Sequence, residues 1–204
     1  MNLIEMYSDN PNPIKINSII NILKKDGVII YPTDTVYALG CLSNSSPGIE
    51  KILDIKSSNS SISTLSFIFK NISSLSKFVK PFDNKIFKIL NKYLPGPYAF
   101  IMEARKKLPK PFHKRKELGV RIVNHPVVSL VLEKLDEPIV TSSLYDKNKN
   151  FQYIITDPKI IYEKWGHKVD LMIDSGFIGN TPSTVIDLRG QNPMLIRKGK
   201  GEIF

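Results

Sequence analysis

GVIIYPTDTVYALGC, residues 27–41, combines two signals that decide how this chain folds. The apolar run GVII (27–30) has the composition of a strand buried on both faces. Small polar side chains then crowd its exit, with Tyr31, Thr33, Asp34, Thr35 and Tyr37 inside seven positions. Hydroxyls at such a place either shape a turn or face a ligand, and a rigid strand beneath them suits the second use.

Working outward, IKINSIINILKK (14–25) spaces Ile16, Ile19, Ile20 and Leu23 as one helical face, with Gly27 as its stop. Beyond GVIIYPT, a helix is predicted over 47–56, a strand over 64–69 and a helix over 83–94 that ends before Pro95-Gly96-Pro97. Residues 98–104 and 118–124 read as strands, 125–135 as a helix and 138–144 as another strand. Three further strands, at 170–176, 183–188 and 194–199, cluster toward the C-terminus. Strands that alternate with helices and then cluster predict an α/β fold: a single domain over 1–204, built on a twisted mixed sheet with flanking helices.

Composition narrows the function classes. A hydrophobic fraction of 42% with 24% charged residues is that of a folded soluble domain, not of a disordered chain. The net charge of +10 and a pI near 9.5 suit an anionic partner such as a nucleotide or RNA. A single cysteine, Cys41, excludes an internal disulfide, and His113, His125 and His167 are too scattered for a metal cage. The N-terminal MNLIEMYSDN lacks a leader pattern and no apolar run is long enough for a membrane span, so a cytoplasmic protein without a membrane partner is expected.

Several polar residues fall at the ends or in the middle of apolar strands: Thr33 and Thr35, Arg121, Thr141 to Ser143, Ser183, and Arg197. An arginine inside GVRIVN must find an anion, whether a carboxylate of the protein or one of a ligand. Together the hydroxyls and guanidiniums suggest one pocket for phosphates and carboxylates. The chain shows no Ser-His-Asp set and no phosphate-binding glycine loop.

YPTDTVYALGC, Lys56, PGPYAFIM (95–102), GVRIVNHP (119–126), TSS (141–143), PSTVID (182–187) and IRKG (196–199) occur in an order that resembles the YrdC-like family of threonylcarbamoyl-AMP synthases. The likeness runs from about residue 14 to about residue 200, and its motif pattern is most similar to the family's YciO branch. It implies a basic concave surface on the sheet. It also implies an enzyme that joins L-threonine, bicarbonate and ATP, with Mg2+ accompanying the nucleotide and no protein-ligated metal, for modification of tRNA. Carried over by position, Thr35, Arg121 and Ser183 form the catalytic set, Thr33 and Thr141 the substrate wall, and Lys56, Ser143 and Arg197 the nucleotide contacts.

Two positions depart from the family pattern: Ser58 stands where a loop arginine is expected, and Tyr145 where a strand asparagine is expected. A second function class therefore stays open, a YciO-like RNA-binding or ribosome-associated protein that keeps the fold without efficient synthesis. Arg105, Lys106, Lys107, Lys110, Lys114, Arg115 and Lys116, between two predicted strands, would be its contacts to double-stranded RNA or tRNA.

Overall fold

The computed structural model describes residues 2–7, 9, 11–56, 61–105, 108–145 and 154–203. In chain order the elements begin with β1 (Asn2–Glu5), α1 (Pro13–Lys24), β2 (Ile29–Tyr31), β3 (Ala38–Leu42) and α2 (Ser46–Lys56). They continue with β4 (Ser66–Ile68), α3 (Ile72–Ser76), α4 (Asn84–Tyr93), β5 (Tyr98–Glu103), β6 (Glu117–Arg121) and α5 (Pro126–Glu133). The last are β7 (Ile139–Ser143), α6 (Pro158–Trp165), β8 (Leu171–Asp174), β9 (Thr184–Asp187) and β10 (Met194–Arg197).

Local chemistry sets the helix ends. Asn12 caps α1 by accepting the amides of Ile14 at 2.8 Å and Lys15 at 3.3 Å, and Pro13 opens the helix where its missing N–H costs nothing. Asp83 and Asp157 cap α4 and α6 in the same way. The stop of α1 is one residue earlier than Gly27: Asp26 takes the left-handed conformation at φ 61°. Gly27 is needed for a different reason, since a Cβ there would lie 2.5 Å from the Ile22 side chain.

One mixed sheet runs in the order β1-β8-β2-β3-β7-β4-β6-β5-β9-β10. Strand periodicity divides its core in two. On one face Ile30, Leu39, Phe67, Val120, Val140 and Ile186 pack beneath α2, α3, α4 and α6. On the other, Ile29, Tyr31, Ala38, Ile68, Ile139 and Leu171 pack beneath α1 and α5 only. Those two helices cover the β1-to-β7 half of this second face. The half formed by β6, β5, β9 and the Ser66 end of β4 stays open, and its floor combines the small Ser66, Ala99 and Gly119 with Ile101 and Val185.

Cys41 points into the covered face and is fully buried. Burial pushes its thiol up to about 12. The unfolded chain releases this proton at lower pH than the fold does, so stability is unaffected below the ordinary thiol range and falls as pH rises from there toward about 12. Because the thiolate is the reactive form, iodoacetamide at pH 8 is expected to label Cys41 only after denaturation, as read by intact mass. Labelling of the native protein at the denatured rate would contradict this packing.

Candidate active site

A cavity of about 390 Å³ occupies the open half of the sheet. Its rows follow the strand register: Ile68 and Arg121 are paired in one, Thr141, Ser66 and Gly119 in the next, and Ser143 lies two residues beyond Thr141. Among the described residues, Lys56, Arg115, Arg121 and Arg197 line it against one carboxylate, Glu117, which Arg189 holds in an ion pair.

Arg121 is buried at the inner end, and its partner is Asp34. Nη2 donates to Asp34 Oδ1 at 2.9 Å and to the Thr35 hydroxyl at 3.3 Å, while Asp34 Oδ2 accepts the Asn124 amide at 3.2 Å. Nε is buried and has no hydrogen-bond partner among the described residues. Burial pulls the guanidinium below its ordinary pKa and Asp34 opposes that pull. The group is thus a held cation whose Nε and Nη1 make no hydrogen bond among the described residues; Nε is occluded, so Nη1 is the nitrogen an anion entering the cavity can reach.

The two threonines of the opening motif take a different position from the one expected. Thr33 Oγ1 donates to the Val36 carbonyl at 2.6 Å and accepts the amides of Thr35 and Val36 at 3.1 Å each, so its hydroxyl is spent on the turn between β2 and β3. Thr35 is fully buried behind Arg121, its hydroxyl 3.0 Å from that of Thr33. Neither is among the residues lining the cavity. Thr35 helps hold the guanidinium rather than form the pocket wall, and Asp34, between the two threonines, is the ion-pair partner of Arg121 that strand-end reasoning passed over.

Thr141 lines the cavity, yet its hydroxyl is spent as well: it donates to the Leu39 carbonyl at 3.0 Å and accepts from Tyr31 at 2.7 Å. The hydroxyls of Ser66, Ser143 and Ser183 line the cavity without a hydrogen bond among the described residues. Arg197 crosses from β10 and donates to the Ser183 carbonyl through Nη2 at 2.9 Å and Nε at 3.3 Å. Burial lowers its pKa and the nearby charge of Arg121 adds to the effect. Lys56 enters from the covered side of the sheet, donating to Ser142 Oγ at 2.5 Å and the Ser143 carbonyl at 3.3 Å, with its ammonium 4.3 Å from the centre of the Tyr145 ring.

Arg115 requires a correction. It is not an exposed charge of the basic segment but a wall of the cavity, donating to the carbonyls of Leu65 at 2.8 Å, Ile62 at 3.2 Å and Ser63 at 3.3 Å. Arg105, Lys110, Lys114 and Lys116 are exposed; residues 77–80 run beside 103–105, which sets the exposed Lys77 near Arg105, while Lys80 is paired with Glu103 at 2.7 Å. Lys106, Lys107 and Ser58 lie outside the described residues. Among the described residues no cluster of His, Cys, Asp and Glu could hold a metal ion, and no helix is long and apolar enough to cross a membrane. With Glu117 tied to Arg189, the cavity's donors do not fit a protein-held magnesium ion. They fit the phosphates that such an ion accompanies.

Comparison with known proteins agrees with this architecture. The uncharacterised protein YciO of Escherichia coli is 34% identical over 200 residues, 97% of this chain and 95% of its own. Its crystal structure superposes with a TM-score of 0.89 over 99% of this chain and 98% of that one. A threonylcarbamoyl-AMP synthase of Coxiella burnetii is 28% identical over 169 residues, covering 81% of this chain and 87% of the synthase. The P. abyssi Sua5 structure complexed with L-threonine shares the fold, with a TM-score of 0.86 at 22% identity over 98% of this chain and 58% of Sua5. A family model named Sua5/YciO/YrdC and described as "telomere recombination" matches residues 21–199, which include Asp34, Lys56, Arg121, Ser183 and Arg197; the chain belongs to the Sua5/YciO/YrdC family.

Proposed function

We propose that this chain joins L-threonine, bicarbonate and ATP into threonylcarbamoyl-AMP with release of pyrophosphate. The observation that carries the reading is Arg121: a buried guanidinium fixed by Asp34 and Thr35 through Nη2, with Nη1 making no hydrogen bond among the described residues, at a cavity that three more described cations line. Support also comes from the synthase among its relatives and from the Sua5 structure that binds L-threonine on the same fold.

The threonine carboxylate pairs with Arg121, and the Ser183 hydroxyl stands across the cavity. The neutral amine attacks bicarbonate: a C–N bond forms, a C–O bond breaks, and the hydroxyl leaves as water with a proton from the amine. A carbamate oxygen then attacks the α-phosphorus of ATP, and the bond to pyrophosphate breaks. Lys56, Arg115 and Arg197 face the phosphates and neutralise the charge that develops. Positioning of three reactants supplies the acceleration, so no protein nucleophile is required. The test is pyrophosphate release by purified protein with ATP, Mg2+ and bicarbonate, with and without L-threonine. Threonine-dependent release upholds the reading; its absence in folded protein at saturating substrates overturns it.

A second reading rests on the exposed Arg105, Lys110, Lys114 and Lys116, with Lys77 beside Arg105. Such a patch suits the phosphate backbone of double-stranded RNA. Neutralising the first four to Gln is expected to flatten the slope of log affinity against log salt by about one unit per lost phosphate contact. An unchanged slope would place RNA binding elsewhere or nowhere.

A further inference from the structure

The floor of the cavity holds a hydroxyl that nothing so far has used. Ser66 sits on β4 between Thr141 of β7 and Gly119 of β6, all three on the open face. Its neighbours leave room for it alone: the Thr141 hydroxyl is spent on Tyr31 and Leu39, and Gly119 has no side chain. A Cβ at position 119 would lie 2.8 Å from Ser66 Oγ, so the serine occupies the space that the glycine vacates. Ser66 is half-buried, and its hydroxyl makes no hydrogen bond among the described residues.

The register fixes what Ser66 stands between. Arg121 lies two residues beyond Gly119 in one direction, a step of about 6.6 Å along a strand. Ser143 lies two residues beyond Thr141 in the opposite direction, with the Lys56 ammonium at its carbonyl. One row therefore presents the cation suited to a carboxylate, and the row two steps away presents the cation suited to phosphate. Ser66 is on the row midway. In an α-amino acid paired to Arg121 the amine extends only a few ångströms from the carboxylate, which brings the atom it attacks over this middle row.

We propose that Ser66 is the residue that holds the one-carbon oxyanion, bicarbonate and then the carbamate made from it, between the amino acid and the nucleotide. The assignment rests on the synthase reading for the identity of the amino acid and the nucleotide. Its chemistry is that of a small planar anion with oxygens to spare. A neutral hydroxyl both donates to such a group and accepts from the protonated oxygen of bicarbonate, which neither Lys56 nor Arg121 does. The absence of a Cβ at Gly119 keeps the floor low enough for the anion to lie against the sheet.

Ser66→Ala removes the hydroxyl and nothing else. Calorimetry is expected to give L-threonine affinity within about twofold of the parent, because Arg121 and Asp34 are untouched. The bicarbonate concentration for half-maximal pyrophosphate release is expected to rise about tenfold, the weight of one hydrogen bond to a charged group. A purely structural role for Ser66 would not single out bicarbonate. An unchanged bicarbonate dependence overturns the proposal.

A binding measurement separates this assignment from the synthase reading. L-threonine is titrated with a non-cleavable α,β-methylene analogue of ATP present, with and without bicarbonate. Bicarbonate is expected to tighten L-threonine binding several-fold in the parent and not in Ser66→Ala. That result without pyrophosphate release keeps the Ser66 site and sinks the synthase reading. No bicarbonate effect in the parent overturns the Ser66 site, even where threonine binds.

Discussion

Arg121→Gln is expected to lower threonine-dependent pyrophosphate release by about a hundredfold or more. In the proposed reading the guanidinium is the charge-assisted donor to the substrate carboxylate, and such a contact within a buried site is worth a factor of about ten to a hundred alone. Misplacement of the bound amine adds to the loss, because rate falls steeply once reacting atoms leave attack distance. The same substitution leaves Asp34 buried opposite a neutral amide, at a cost of about 3–5 kcal/mol in stability. A second variant keeps the question open to experiment if the first misfolds. Asp34→Asn with Arg121→Gln removes both charges, and is expected to recover most of the thermal stability and none of the activity. Threonine binding retained by either variant would show that the carboxylate site lies elsewhere.

Gly199→Ala is expected to cost about 2–3 kcal/mol and to lower the Tm by roughly 5–10 °C. A Cβ at 199 would lie 2.3 Å from the Pro182 carbonyl oxygen and 2.4 Å from the Ser183 carbonyl carbon. These are backbone atoms of the segment entering β9, and they cannot give way as a side-chain tip can. The chain from Arg197 onward must lift instead, breaking the bonds of the Gly199 amide to Thr184 Oγ1 at 3.0 Å and of the Lys200 amide to Pro182 at 2.8 Å. Arg197 leaves the cavity with it, so nucleotide affinity is expected to fall together with the melting temperature. A variant of unchanged stability would contradict the close approach of the two segments.

Much of the fold was legible because long helices and strands carry their period in their residues. The face Ile16, Ile19, Ile20 and Leu23, expected from spacing, is the buried face of α1. β3 escaped notice for a physical reason: Ala38, Gly40 and Cys41 are small and look like a turn, yet the sheet needs small groups there. A Cβ at Gly40 would lie 2.6 Å from the Tyr31 ring. β1 was missed because its pairing partner, β8, is remote in sequence. At the site, Arg121, Ser143, Ser183, Lys56 and Arg197 do meet at one cavity. Sequence does not show where a hydroxyl spends its proton, which is why Thr33 reads as a ligand and proves to be a turn. The run of basic residues likewise hid that Arg115 turns inward onto three carbonyls.

The strand order has a consequence for how the protein is made. β8 lies between β1 and β2, so the hairpin of β2 and β3 keeps an open outer edge until residues 171–174 have been synthesised. At about 5–20 residues per second, the roughly 140 residues between β2 and β8 take about 7–28 s to emerge. β7 leaves the same gap on the other side, since β3 meets β4 only through it. For most of its synthesis the nascent chain therefore exposes unpaired strand edges flanked by apolar side chains. Completion of the sheet has to wait for the last third of the chain, and until then those edges are open to pairing with other chains.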